Sequence, residues 1–206
     1  MSYQKTIVAT LLLAFAFSGA MAQNKNVRKA KRAFQKGDLK EAKSLIIPAT
    51  TNEKTVDDAD TWYVMGNVYY ALSQKDSVNQ TGQMYRDSAF LAYKKCLDID
   101  DKYSPMLLKS YMPLIKLYKK YWGYGVYGFN NDKYKAAFKG FKKVKEMVDY
   151  SKTLELNILP SDIDTMVYLN MGNAAYRAGM KDSAVHYYQK VVDMGYDEEA
   201  FVYKIL

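Results

Sequence analysis

The sequence has few of the residues that most often carry covalent or metal chemistry. It contains one cysteine, one histidine and four prolines in 206 residues. Cys96 cannot form a disulfide within the chain, so it is either a buried small residue or a thiol for another chain. With His186 as the only histidine, we expect no Ser-His-Asp, Cys-His or two-histidine metal site within one chain. The scarcity of proline argues against a turn-rich all-β protein, and most of the chain favours helix.

Motifs for nucleotide or calcium binding are also missing from the sequence. No G-x-x-x-x-G-K-[ST] occurs, and Gly123, Gly125 and Gly128 do not form G-x-G-x-x-G. The aspartates of DDAD (57–60) and DIDDKY lack the alternating oxygen ligands and closing glutamate of a calcium loop, and they suit helix starts better. We therefore predict a protein that is not an enzyme and that uses no metal or cofactor.

The N-terminus has the layout of a secretory signal peptide. Lys5 precedes an apolar run at 7–17, and Ala20-Met21-Ala22 supplies an A-x-A cleavage signal. This pattern predicts a signal peptide at 1–22 and an exported protein, periplasmic or secreted, that begins at Gln23. The apolar run is too short to span a membrane and no second one follows, so we expect no transmembrane segment after cleavage.

The chain carries an excess of positive charge. Its formal net charge is +8, and removal of Lys5 leaves +7. Such an excess favours anionic partners, but an exported protein meets little nucleic acid, so we expect no nucleic-acid partner. Four lysines of KYKAAFKGFKKVKE lie on one outer helix face, either solvated or in peripheral contact with the cell envelope. They are Lys135, Lys139, Lys142 and Lys143.

Two segments share a spacing of aromatic, apolar and small residues. WYVMGNVYY fits W-x-x-L-G-x-x-Y with Met in the Leu place, and YLNMGNAAYRAGMKDSAVHYYQKVV repeats it from Tyr168. In the second segment Gly172 precedes Ala184 by twelve residues, and Tyr188 follows four later. The twelve-residue step recurs between Ala30 and Ala42 and between Gly125 and Ala137, and between Gly66 and Ala89 with eleven residues inserted.

The segment that begins at Tyr168 resembles the tetratricopeptide repeat (TPR) along its whole length. That repeat is a helix-turn-helix of 34 residues. The resemblance implies that Gly172 and Ala184 allow the two helices to touch, and that Gly179 ends the first helix. In every unit a small or β-branched residue lies seven positions after the second-helix alanine. Cys96 occupies this position in its unit, so we expect it in the core between the helices. The structural repeat positions are Ala30, Ala42, Trp62, Gly66, Ala89, Tyr121, Gly125, Ala137, Tyr168, Gly172 and Ala184.

The predicted fold is all-α: a right-handed superhelical array of antiparallel helix pairs, a TPR-like α-solenoid. About four repeats fill residues 23–206 and a fifth begins. The repeats lie near 23–56, 59–103 with an inserted loop at 73–83, 105–149 with an extended first helix, and 165–198, with a partial unit at 199–206. We interpret this opening of a fifth unit as a sign of a fragment of a longer protein, or of an end that packs against something else.

The stretch YWGYGVYGFNND tests the register of the repeats. Alternating aromatics and glycines suggest a strand or loop, but the step from Gly125 to Ala137 predicts a helix across 118–129 that ends at Asn130-Asn131-Asp132. Gly128 and Gly123 then cost helix stability, which close helix approach or a bound ligand would justify. Upstream, Pro113 is expected to kink or divide the helix.

The resemblance implies that the first helix of each unit lines a concave surface that holds a peptide or another protein. We predict a non-enzymatic protein-protein interaction scaffold; a subunit of a cell-envelope assembly or secretion complex, and glycan binding through an aromatic groove, are the alternatives. The inward-facing residues either contact the partner or pack against the neighbouring repeat. They are Val27, Arg28, Lys31, Phe34, Tyr63, Asn67, Tyr70, Trp122, Val126, Phe129, Leu169, Asn170, Asn173, Tyr176 and Arg177.

Overall fold

All regular structure in the described residues is helical. The computed structural model describes residues 25–75, 80–156, 158–160 and 163–196. The predicted signal peptide at 1–22 and the partial unit at 199–206 lie outside them. The helices are α1 (25–35), α2 (Leu39–Ile46), α3 (Ala59–Lys75), α4 (Gln80–Ile99), α5 (Ser104–Leu107), α6 (Met112–Asn130), α7 (Tyr134–Thr153), α8 (Asp164–Arg177) and α9 (Lys181–Asp193), with a 3₁₀ turn at Ile47–Thr50. No helix in these ranges is long and apolar enough to cross a membrane.

The chain forms two compact units, in each of which helices adjacent in sequence pack against each other. The first unit ends at Leu108 and the second begins at Lys109. In the first, α3 packs on α4 and on α2; in the second, α6 packs on α7, α7 on α8 and α8 on α9. Small residues fill the centre of the helix pairs, because Ala42, Ala89, Ala137 and Ala184 are fully buried. An all-helical fold with packed neighbouring helices is therefore confirmed.

The positions seven residues after each of these alanines are also inside the protein. Ala49, Cys96, Val144 and Val191 each have 0% exposure. Residues four and seven positions apart lie on the same side of a helix, so the alanine and its follower face the same core. The structure thus places Cys96 in the core rather than at a surface where another chain could reach it.

Residues with positive φ end the first helix of three pairs. Gly37 (φ 81°) follows α1 and Gly179 (φ 72°) follows α8, as the sequence predicts for Gly179. After α6 the same role falls to Asp132 (φ 56°). Asp38 then caps α2, since its Oδ1 accepts a hydrogen bond of 2.9 Å from the backbone nitrogen of Glu41.

The aromatic and glycine-rich stretch is helical throughout, as predicted. Helix α6 continues to Asn130, so YWGYGVYGFN lies inside it. Pro113 occupies the first turn of α6, where a missing N–H costs nothing. Tyr111, the residue that precedes the helix, has a left-handed backbone with φ 53°. The proline divides the predicted long first helix rather than kinking it, and the upstream part forms the separate short helix α5.

The predicted inserted loop at 73–83 is replaced by helix wherever this segment is described. Residues 73–75 complete α3 and residues 80–83 begin α4, while residues 76–79 lie outside the described part. Ser73 is buried and its hydroxyl donates to the carbonyl oxygen of Tyr70, three residues earlier in α3, at 2.7 Å. The insertion therefore lengthens both helices of this pair.

Candidate protein-binding faces

The same contact between a glycine and an aromatic ring holds together three helix pairs. In each pair a glycine on the first helix faces an aromatic ring on the second, and a Cβ on that glycine would lie less than 3.0 Å from the ring. Real Cβ atoms do not approach so closely, so only glycine fits. The pairs are Gly66 with Tyr93, Gly125 with Phe141, and Gly172 with Tyr188. Each ring lies four residues after the second-helix alanine and thus fixes the register of its pair.

Two of these rings also hold an asparagine on the first helix. The hydroxyl of Tyr93 donates to Oδ1 of Asn67 at 3.0 Å, and that of Tyr188 donates to Oδ1 of Asn173 at 2.8 Å. Burial raises the pKa of Tyr93 well above its usual range, so the hydroxyl remains a donor. Each asparagine still has an amide nitrogen that this bond does not use. In the α6/α7 pair, Phe141 stands in place of the tyrosine, and Val126, directly after Gly125, stands in place of the asparagine. The hydroxyl donor and the amide acceptor are therefore both absent from this pair.

Tyr63, predicted to line the concave face, belongs to the core of the first unit. Its side chain is 4% exposed. Its ring lies 5.3 Å from that of Tyr103 and 6.3 Å from that of Tyr93, measured between centroids. Val27, from α1, is also 4% exposed. Both residues therefore pack against neighbouring helices.

An aspartate at the start of α3 connects helix α1 with the loop that precedes α5. Oδ1 of Asp60 lies 3.2 Å from Nζ of Lys31 on α1, and it accepts a hydrogen bond of 2.6 Å from the hydroxyl of Tyr103. Burial and this hydrogen bond raise the pKa of Tyr103. Of the other predicted residues, Arg28 is exposed, and Phe34 and Tyr70 are half-buried. Burial raises the pKa of the Tyr70 hydroxyl.

In the second unit, two predicted residues meet through a third that the sequence did not single out. The rings of Phe129 on α6 and Tyr134 on α7 are 5.5 Å apart and edge to face. The guanidinium carbon of Arg177 on α8 lies 5.3 Å from the centroid of the Tyr134 ring. The Tyr134 hydroxyl donates to Asp132 in the preceding turn. The sequence signal that could have identified Tyr134 is its place as an aromatic residue directly after the turn that follows α6.

The remaining predicted residues of α6 and α8 differ in what they offer to a partner. Trp122 is half-buried, with its ring edge to face against Phe141 at 5.6 Å. Nδ2 of Asn170 donates to the carbonyl oxygen of Met166 at 2.9 Å, so its own helix uses this amide. Leu169 packs against the core of the last pair. Tyr176 is 49% exposed and Val126 is 38% exposed, which makes them the accessible apolar members of the set.

Two of the glycines in α6 have different surroundings. A Cβ on Gly128 would lie 2.8 Å from the backbone nitrogen of Ala137, so close helix approach requires this glycine, as predicted. A Cβ on Gly123 would meet nothing within 4 Å, and the residue is exposed. Gly123 costs its helix about 1 kcal/mol relative to Ala. No contact with the residues that the structure describes explains this cost.

A cleft of about 450 Å³ between α7, α8 and α9 was not predicted from the sequence. The ring of Tyr168 stacks on Tyr187 at 6.0 Å, and the Nζ atoms of Lys145 and Lys190 lie 5.1 and 5.6 Å from its centroid. Burial lowers the pKa of Lys145, but hydrogen bonds to Asp149 and Tyr168 outweigh it and the pKa is raised. Contacts within the protein thus engage both the Tyr168 ring and the Lys145 ammonium group. We therefore interpret the side chains that line this cleft as stabilising the packing of the three helices.

The described residues offer little for covalent or metal chemistry. They contain no group of three or more His, Cys, Asp or Glu side chains placed to hold a metal ion. Burial, with smaller contributions from Asp100, Asp60 and Asp58, raises the pKa of Cys96 to about 12. The thiol is therefore protonated at neutral pH and a poor nucleophile.

Comparisons with protein-family models, with curated proteins and with solved structures find no match to this chain.

Proposed function

We propose that the protein is a non-enzymatic scaffold of TPR-like helix pairs that holds a peptide or a segment of another protein against its first helices. The observation that carries the proposal is the threefold repetition of the glycine-aromatic contact. It sets the same helix register in each of the pairs α3/α4, α6/α7 and α8/α9, so the sequence repeat identifies equivalent positions on their first helices. Arrays of such helix pairs commonly recognise extended partners.

The chemistry of the first helices supports a polypeptide partner. Asn67 and Asn173 are held by tyrosine hydroxyls with one amide group unused by that bond, and such a group suits a backbone carbonyl oxygen. Tyr176 is 49% exposed beside Arg177, and Tyr and Arg are frequent anchors of protein interfaces. A glycan would need open aromatic faces, whereas the ring of Tyr168 is stacked on Tyr187 and lies under two lysines.

Selection of random 12-residue peptides by phage display against the purified protein tests the proposal. We expect selected peptides to bind the wild type, and Tyr176→Ala to weaken binding about tenfold, as for a typical interface anchor. The matched control is Val185→Ala, because Val185 is 42% exposed but lies on the second helix α9. No selected binder, or an equal loss in both variants, would contradict the proposal.

A further inference from the structure

One face of α6 is exposed along most of its length and carries no acidic residue. Around Gly123, the residues three, four and seven positions away point in nearly the same direction, since each step turns the helix by 100°. Six residues on this side of the helix are exposed: Lys116, Lys119, Lys120, Gly123, Val126 and Tyr127. We call these six residues the α6 face. Its first half is basic, its middle has no side chain, and its second half is apolar.

No contact with the described residues requires the glycine in the middle of the α6 face. Gly125 and Gly128 on the same helix are required by contacts with Phe141 and with the backbone of Ala137. Gly123 has open space around it, yet any other residue except proline would strengthen the helix. A missing side chain on an exposed helix leaves a shallow notch in which a second backbone can approach closely. A polypeptide segment other than the described part of this chain accounts for this notch.

The charge of the α6 face indicates the chemistry of the occupant. Helix α6 contains Lys116, Lys119 and Lys120 but no Asp or Glu. In the described part of the chain, the ion pairs within 4.0 Å lie on other lysines, such as Lys145 with Asp149. Three lysines within two turns create a positive field that attracts carboxylates over roughly 10 Å at moderate salt.

We propose that the α6 face docks an acidic polypeptide segment of a partner, with the partner backbone against Gly123 and its carboxylates near the lysines. The proposal rests on the proposed function and names the partner chemistry. Val126 and Tyr127, 38% and 40% exposed, then receive an apolar side chain of the same segment. A polypeptide fits better than a lipid surface, because a notch one residue wide serves a backbone and offers nothing to a flat layer of headgroups.

Fluorescence anisotropy with defined peptide pools tests the proposal. The probes are fluorescein-labelled 12-residue pools in which half the positions are Asp or Glu, with a matched pool that has Asn and Gln there. We expect the acidic pool to bind at least about tenfold more tightly, and the preference to fall with added salt. We expect Lys119→Gln with Lys120→Gln to weaken this binding roughly tenfold, whereas Lys135→Gln with Lys139→Gln on α7 changes it less than about twofold.

Gly123→Ala is the decisive variant, because folding and binding should respond in opposite directions. Its melting temperature is expected to equal or exceed that of the wild type, while a methyl group in the notch weakens binding of the acidic pool about tenfold or more. Unchanged binding by Gly123→Ala, or equal binding of the acidic and amide pools, would overturn the proposal.

Two further outcomes separate this proposal from the proposed function. If display selection yields binders without acidic residues and without sensitivity at Gly123, the α6 face proposal fails while the scaffold function stands. If selection yields no binder at all, both fail. Tight binding to vesicles with anionic phosphatidylglycerol, lost in the Lys119/Lys120 variant while the acidic pool does not bind, would assign the face to a membrane surface and overturn the proposal.

Discussion

Substitution of Gly172 by Ala should destabilise the second unit although Ala is the better helix former. A Cβ at this position would lie 2.7 Å from Cε1 of Tyr188, whose side chain is fully buried. Overpacking of this kind costs about 2 kcal/mol. Displacement of the ring also breaks the hydroxyl bond to Asn173, worth about 1 kcal/mol, whereas the better helix propensity returns about 1 kcal/mol. We expect a net loss of about 2 kcal/mol in the free energy of unfolding.

The position of the two tryptophans allows this loss to be measured in the second unit alone. Trp62 lies in the first unit and Trp122 in the second, so a Trp62→Phe background leaves Trp122 as the only tryptophan. Urea unfolding followed by the fluorescence of Trp122 then gives the midpoint and its slope. Gly123→Ala is the matched control, expected to be neutral or up to about 1 kcal/mol more stable. A Gly172→Ala variant as stable as this control would refute the account of the glycine-aromatic contact.

Two further predictions concern buried polar groups. Tyr188→Phe should cost about 1 kcal/mol by urea unfolding, because Asn173 loses its donor while the ring still fills its space; a loss under about 0.3 kcal/mol would contradict a hydrogen-bonded pair. Cys96 has a folded-state pKa of about 12 against 9.0 for an unperturbed thiol, so the unfolded chain releases its proton first. Stability should therefore fall as pH rises from about 9 toward 12, and less steeply in Cys96→Ala, when unfolding is followed by circular dichroism. Identical pH profiles for the two proteins would contradict this assignment.

The sequence predicts the helix pairs well because their register depends on single residues. Gly125 and Ala137 locate a pair inside a stretch that otherwise suggests strand or loop, and the helix there confirms it. The added turns around Ser73 were predicted as a loop because they are polar. Polar composition does not distinguish a loop from the exposed side of a lengthened helix.

The candidate site is less predictable, because its geometry depends on residues outside the repeat pattern. Tyr63 was predicted either to contact a partner or to pack against a neighbouring repeat, and the ring of Tyr103, which follows the second helix of its repeat, packs against it. Tyr134 was overlooked although it connects Phe129 with Arg177. A repeat pattern fixes where a side chain starts on a helix, whereas loops and neighbouring helices decide whether it remains accessible.

Hydrogen exchange of the protein with and without a saturating selected peptide tests the scaffold claim most directly. Binding to the first helices predicts slower amide exchange in peptides from α6 and α8, with α7 and α9 changed little. Protection confined to α7 and α9, or no protection at saturation, would contradict the claim that the first helices hold the partner.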